Sequence, residues 1–281
     1  MPRLESAKWL MRRWFTSIPF FIVLGLGLGV LISIPLIPKP NIATIPISGA
    51  IFDQAHTDDI LDTLRYARED NNIKAVVLQI DSPGGLAVTS EQIYLDVLRL
   101  RQQKPVVASI ETVGASGGYY IAVASNFIYA QPTSQLGSVG AWVTLPTPEE
   151  LEEDILTTGP FKATGGSRRK ALSVLETFRH QFVETVISQR GDRIKISEEV
   201  LSRAEIYTGV ESLRYGLIDD IGTSTAAIEK AASLAGIRHY GVVKLYIPKP
   251  VIWFLSSSDL EGLKSQTSLV PVYYYLYFES E

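Results

Sequence analysis

From Ile42 onward, short apolar runs alternate with amphipathic stretches. Ile42 to Ile47 (IATIPI) predicts a strand, with Pro46 pointing to an edge position. His56 to Glu69 carries Ile60, Leu61, Leu64 and Ala67 at helical spacing with charges between them. Ile73 to Ile80 (IKAVVLQI) is nearly continuous and rich in β-branched residues, as expected of a strand buried on both faces of a parallel sheet. Val88 to Leu100 puts Ile93, Val97 and Leu100 on one helix face. Val106 to Ile110 and Phe127 to Ala130 read as further strands, and Ala141 to Leu145 as a short one. Pro148 to Asp154 predicts the start of a helix, residues 157–169 a loop, and Leu172 to Arg190 a strongly amphipathic helix. Shorter helices follow at Ser197–Arg203, Val210–Leu217 and Ser224–Ala235. This alternation predicts an α/β fold with a largely parallel sheet.

The N-terminal pattern differs. Ile18 to Ile37 carries no charge and is long enough to cross a membrane as a helix. Arg3, Lys8, Arg12 and Arg13 precede it against the single acid Glu5, so the positive-inside rule places residues 1–17 in the cytoplasm. Trp9, Trp14 and Phe15 stand where an interfacial aromatic belt would be. A cleaved signal peptide would need an A-x-A-like site, which PKPNIATIPISGA does not offer. A buried soluble helix would not be so uniformly apolar, nor carry Gly25, Gly27 and Gly29. The expected division is a cytoplasmic segment 1–17, an anchor 18–37, an extracytoplasmic domain 38–240 and a tail 241–281. The tail holds VPVYYYLYF at Val270 to Phe278, which could serve as an added strand, an oligomer contact or a membrane-surface patch.

Composition narrows the chemistry. A net charge of −4 over 281 residues gives no nucleic-acid surface. The absence of cysteine removes disulfides, thiolate nucleophiles and Cys-ligated zinc. His56, His180 and His239 form no metal-ligand pattern, and no cofactor is expected.

The candidate chemistry centres on Val113 to Ala124, VGASGGYYIAVA, which follows the strand PVVASI. A serine among small residues, where a strand gives way to a helix, can present its hydroxyl beside unpaired helical N–H groups. The arrangement is that of a nucleophile elbow without the G-x-S-x-G spacing, and a tight turn with an N-capping serine is the other reading. Ser116 would need a base. No histidine lies at a strand end beside a glycine-rich turn, and a lysine is the other possible base, provided burial or a neighbouring cation lowers its pKa. Lys162, after Phe161 in a Gly/Pro-rich loop, fits that role, and Lys170 lies nearby. Asp81-Ser82-Pro83-Gly84-Gly85 directly follows a buried strand, where α/β sheets bind ligands. The N–H groups of Gly84 and Gly85 could meet an oxyanion, or the segment could be an ordinary β-turn.

These pieces, in order, resemble the signal peptide peptidase A family of membrane-anchored serine peptidases with a Ser/Lys dyad. The resemblance rests on the anchor, DSPGG (Asp81–Gly85), ASGGYYIA (Ala115–Ala122), GSVG (Gly137–Gly140), TGPFK ending at Lys162, IYTGVESLRYGLIDDIG (Ile206–Gly222) and AIEKAASLAGI. It covers residues 42 to 238 and implies a Clp protease/crotonase-like domain of repeated β-β-α units, often assembled in a homo-oligomeric ring. It implies Ser116 as nucleophile, Lys162 as general base, and the N–H groups of Gly85 and Gly117 as oxyanion donors. Apolar peptides such as cleaved signal peptides are the implied substrates. The chain departs from the family pattern after the lysine, where it reads PFKATGG without an acidic residue, and at Glu211-Ser212, where small residues are usual. A crotonase-like acyl-CoA enzyme and a non-catalytic membrane scaffold are the other functions the same fold would allow.

Overall fold

The computed structural model describes residues 21–29, 39–145, 158–162, 164–245 and 272–276. Residues 21–29 form helix α1, with its apolar side chains exposed. The rest of the 18–37 span and the expected helix at Pro148 to Asp154 lie outside the described residues. Among the described residues no helix is long and apolar enough to cross a membrane.

Pro40–Glu281 forms one unit, a mixed α/β domain. It opens with β1 (Asn41–Ser48), α2 (Gln54–Glu69), β2 (Ile73–Ser82), β3 (Gly84–Leu86), α3 (Ala87–Arg101) and β4 (Val106–Ala115). Then come α4 (Gly117–Ala122), β5 (Phe127–Ala130), β6 (Gln135–Gly137) and β7 (Trp142–Thr144). α5 (Arg168–Arg190), α6 (Glu198–Leu201), β8 (Ile206–Thr208) and α7 (Gly209–Tyr215) follow. The described chain closes with β9 (Asp220–Ile221), α8 (Ser224–Leu234), β10 (Gly241–Lys244) and β11 (Val272–Leu276).

The main sheet runs β10-β1-β2-β4-β5-β9 with every pair parallel, as the apolar runs predict. Strand alternation divides its core. Val76, Leu78 and Ile80 face one layer with Ile60 and Leu64 of α2 and Ile93 and Val97 of α3. Ala75 and Val77 face the other, where α8 presents Ala227, Ala231 and Ala232. Three alanines on one helix stripe let α8 lie close to the sheet. β10 pairs only with Asn41–Thr44 of β1, so Pro46, which has no N–H to give, lies past its reach on the outer edge of β1.

Several ends are fixed by side-chain caps. Ser167 accepts from Lys170 N–H at 3.2 Å, which starts α5 four residues before its apolar stripe begins at Leu172. Ser197 caps α6, as its position suggests, but that helix stops at Leu201, short of the expected Arg203. Glu211 closes a capping box with Thr208, which accounts for an acid at that position of α7.

Three strands depart from the expected pattern. β4 continues past Ile110 to Ala115, and β6 pairs with this extension and, antiparallel, with β8. The residues after Ser82 form β3 rather than a turn. β11, from the segment after residue 240, lies between β3 and β7 in a second, antiparallel sheet.

Candidate active site

β4 changes partner along its length. Val107–Ile110 pair with β5, and Val113–Ala115 pair with β6. Ser116 follows at once, with φ 51° and ψ −119°. A non-glycine residue held there costs about 1–3 kcal/mol, which the surroundings must offset. Two backbone bonds do so: Ser116 N–H donates to the Gly137 carbonyl, and Tyr120 N–H donates to the Ser116 carbonyl, each at 2.8 Å. The result is a strained strand–serine–helix turn. Ser116 is 1% exposed, and its side chain makes no capping hydrogen bond to the start of α4.

α4 is fastened from two sides. Tyr119 Oη donates to the Leu217 carbonyl at 2.7 Å, and its burial pushes the phenol pKa up. The Tyr120 ring packs on Tyr94 and edge-on to Phe182, with centroids 4.7 and 4.9 Å away. Gly118 allows the end of β2 to touch this helix, since a Cβ there would stand 2.6 Å from the Ser82 carbonyl oxygen. Gly117 is the first helical residue, so its N–H has no acceptor within α4.

The second wall is the 81–86 segment. Asp81 Oδ1 accepts from Val113 N–H at 3.0 Å, which ties β2 to the extension of β4. Burial pushes the Asp81 carboxyl pKa up, against the pull of hydrogen bonds from Val113 and Thr112. Ser82 Oγ donates to the Gly49 carbonyl at 2.6 Å and accepts from Gly84 N–H at 3.1 Å. The Gly84 N–H is therefore already engaged, which takes it out of the expected oxyanion pair. Ile51 N–H donates to the Gly84 carbonyl at 2.8 Å, and Leu86 N–H donates to the Ile51 carbonyl at 2.9 Å. By strand alternation, the N–H and C=O of Gly85 then point to the opposite edge of β3. A Cβ on Gly85 would stand 2.1 Å from the Ile51 carbonyl oxygen, so only glycine fits this crossing. Gly85→Ala must displace β3, and turnover of a peptide substrate is expected to fall by about 10²–10³-fold, the size of losing one oxyanion donor. Steady-state kinetics on a variant shown by circular dichroism to be folded would check this.

Ser116, Gly117, Gly84 and Gly85 thus gather where the ends of β2 and β4 meet. Lys162 does not join them in the single chain. It lies in an exposed turn, its N–H donating to the Gly159 carbonyl at 3.2 Å, and no hydrogen bond links it to Ser116. Lys170 is exposed in the first turn of α5. His180 is on the outer face of the same helix, 3.2 Å from Glu184, and His239 is exposed. Sequence reasoning missed the Ser82 clamp and the Gly137 carbonyl behind Ser116. A short polar residue before Pro-Gly-Gly and a glycine-bounded QLG run are the only traces they leave.

A strained, buried serine at a strand–helix turn thus stands in the same domain as a strand crossing that admits only glycine. Comparison with known proteins places the chain among its relatives. The Peptidase family S49 profile matches residues 99–238. A protein of Synechocystis sp. named as a protease is 31% identical over 237 residues, which cover 79% of this chain and 84% of that protein. Protease 4 of Haemophilus influenzae is 30% identical over 236 residues, 76% of this chain but only 38% of the longer protein. The chain therefore spans about two fifths of the Protease 4 relatives it matches. Two solved structures of variants of the 1510-N membrane-bound stomatin-specific protease share the fold. One matches with a TM-score of 0.51 at 18% identity, covering 75% of this chain and 100% of the other. The second, in complex with a substrate peptide, matches with a TM-score of 0.50 at 20% identity, covering 82% and 99%. The chain belongs to peptidase family S49.

Proposed function

We propose that the protein is a membrane-bound serine endopeptidase that cuts apolar peptides, such as cleaved signal peptides, on the extracytoplasmic side. The observation that carries this reading is the Ser116 turn, buried and strained at the junction of β4 and α4. Family membership supports it, and nothing in the site favours acyl-CoA chemistry or a non-catalytic scaffold on the Clp protease/crotonase-like fold.

In this reading Lys162 Nζ takes the Ser116 Oγ proton as Oγ attacks the scissile carbonyl carbon. The tetrahedral oxyanion is met by the N–H groups of Gly85 and Gly117. Collapse breaks the C–N bond, and the Lys162 ammonium returns the proton to the leaving amine. Water, deprotonated by the same lysine, then hydrolyses the acyl-enzyme. An exposed Lys162 and a buried Ser116 must be brought together for this step. A second copy in a homo-oligomeric ring could bring its lysine to this serine, or the 158–167 turn could fold inward. The charge pattern around residues 18–37 supports a single anchor with the N-terminus cytoplasmic.

The test is covalent labelling. A fluorophosphonate probe is expected to form an adduct on Ser116, located by peptide mapping, with parallel loss of peptide hydrolysis. Continued hydrolysis by fully labelled protein, or hydrolysis with no adduct on Ser116, removes the reading. Mixing inactive Ser116→Ala and Lys162→Ala chains separates the two routes for the lysine. Restored turnover assigns it to a second copy, and no restoration assigns it to the same chain.

A further inference from the structure

The tail strand β11 occupies a slot that two other strands leave open. Its Tyr274, Tyr275 and Leu276 lie opposite Leu86, Gly85 and Gly84 of β3. On its other edge, Val272, Tyr273 and Tyr274 lie opposite Thr144, Val143 and Trp142 of β7. Among the described residues β3 and β7 do not pair with one another, and β11 bridges them. Strands in a sheet are spaced about 4.8 Å apart, so the gap is one extended chain wide.

The edge of β3 that β11 takes is the one that matters. The other edge of β3 is committed to Ile51, through the Gly84 carbonyl and the Leu86 N–H. The Gly85 N–H and C=O therefore face β11 at Tyr275. β11 also runs beside α4, the helix that begins directly after Ser116. A peptide whose carbonyl is to meet the Gly85 N–H must add to this same edge, as an extended chain adds to an open sheet edge.

We infer that residues 272–276 act as an intramolecular competitor, seated as a strand where the peptide substrate must bind, so that the protein regulates access to its own site. This rests on the proposed roles of Ser116 and Gly85. The tail must leave before a substrate enters, and apparent affinity falls by the fraction of time the slot is empty. A tail seated nine-tenths of the time weakens peptide binding about tenfold.

The experiment compares two full-length chains that bind but do not cut, Ser116→Ala alone and Ser116→Ala with Tyr275→Pro. Proline has no N–H and disfavours the paired strand. A fluorescein-labelled peptide of sequence VPVYYYLYF is titrated into each and followed by anisotropy. The proline variant is expected to bind at least about ten times more tightly, the gain from emptying the slot. Amide hydrogen exchange at Gly85 and Val143 is expected to speed up in the same variant. Equal affinities, or no binding to either chain, overturn the inference. The same peptide is then offered to the chains that retain Ser116. Hydrolysis there, with equal affinities above, leaves the peptidase reading standing while the tail's role falls. Absence of hydrolysis by both chains removes the peptidase reading itself.

Discussion

Replacing Ser116 with alanine is expected to lower peptide turnover by about 10⁶-fold, the loss seen when a serine peptidase gives up its nucleophile. Steady-state cleavage of an apolar, signal-peptide-like substrate reads it, with KM little changed because the strand slot survives. Lys162→Ala is expected to lose a similar factor, and the double variant no more than either alone, since a nucleophile and its base act as one unit. Lys170→Ala keeps full turnover. Loss in Lys170→Ala with survival of Lys162→Ala would move the base to Lys170, and turnover indifferent to Ser116→Ala would end the mechanism. The alanine at position 116 keeps the strained φ of 51° without the hydroxyl. The variant is therefore expected to remain folded, and the loss to be one of chemistry.

The second large effect is on stability. Arg190, at the end of α5, reaches Asp219 with both terminal nitrogens at 2.9 Å, and the two side chains are 1% and 7% exposed. Arg190 Nε also donates to the Gly216 carbonyl at 2.9 Å, and Asp219 Oδ2 accepts from Ile128 N–H at 2.8 Å. One ion pair thus joins α5, the loop before β9 and the start of β5. Asp219→Asn leaves the guanidinium buried with its charge unmatched. That should cost about 3–5 kcal/mol, as breaking a buried pair from one side does. Arg193, 3.0 Å from the same carboxylate, is nearly half exposed, so Arg193→Ala should cost about 1 kcal/mol or less. Urea denaturation of the three proteins separates these values.

The same pair fixes a pH dependence. Burial pushes the Asp219 carboxyl up, but the hydrogen bonds and charge of Arg190, with help from Ile128 and Arg193, hold it below the usual carboxylate range. A group depressed in the folded state binds its proton more readily when unfolded. Its contribution is complete above the unfolded pKa, about 3.9, and is lost as pH falls through the lower folded value. The melting temperature of the native protein should drop in that acid window, and Asp219→Asn should drop less.

The apolar runs made the parallel strands and the long helices legible, because each is buried along most of its length. IKAVVLQI lies between two parallel neighbours, and its continuous apolar character announces that. The Ser116 turn was also legible, because small residues on both sides of a serine leave few other uses. What failed to show depends on partners distant in sequence. DSPGG reads as a turn, since Pro-Gly favours one, yet Gly85 bridges to Ile51 and lies opposite Tyr275, 190 positions downstream (275 minus 85). Neither the tail nor β3 advertises the other. The Arg190–Asp219 pair is hidden for the same reason: an arginine ending an amphipathic helix reads as solvated until the fold brings a carboxylate to it. Lys162 is the extreme case, exposed in its loop, where nothing in the local sequence marks a partner.

The closing of the main sheet bears on how the protein is made. The outer edge of β1 receives β10 last among the main-sheet strands, with Asn41 opposite Gly241. At ribosomal rates of about 5–20 residues per second, those 200 positions (241 minus 41) take roughly 10–40 s to emerge. Throughout that time a buried-type strand, Ile42 to Ile47, waits with one backbone edge unpaired, open to the same edge of another nascent chain. Pro46 blunts only the far end of that edge. A nascent chain of this protein therefore carries its greatest risk of misassembly at its first strand, and the risk ends only when residues 241–244 arrive.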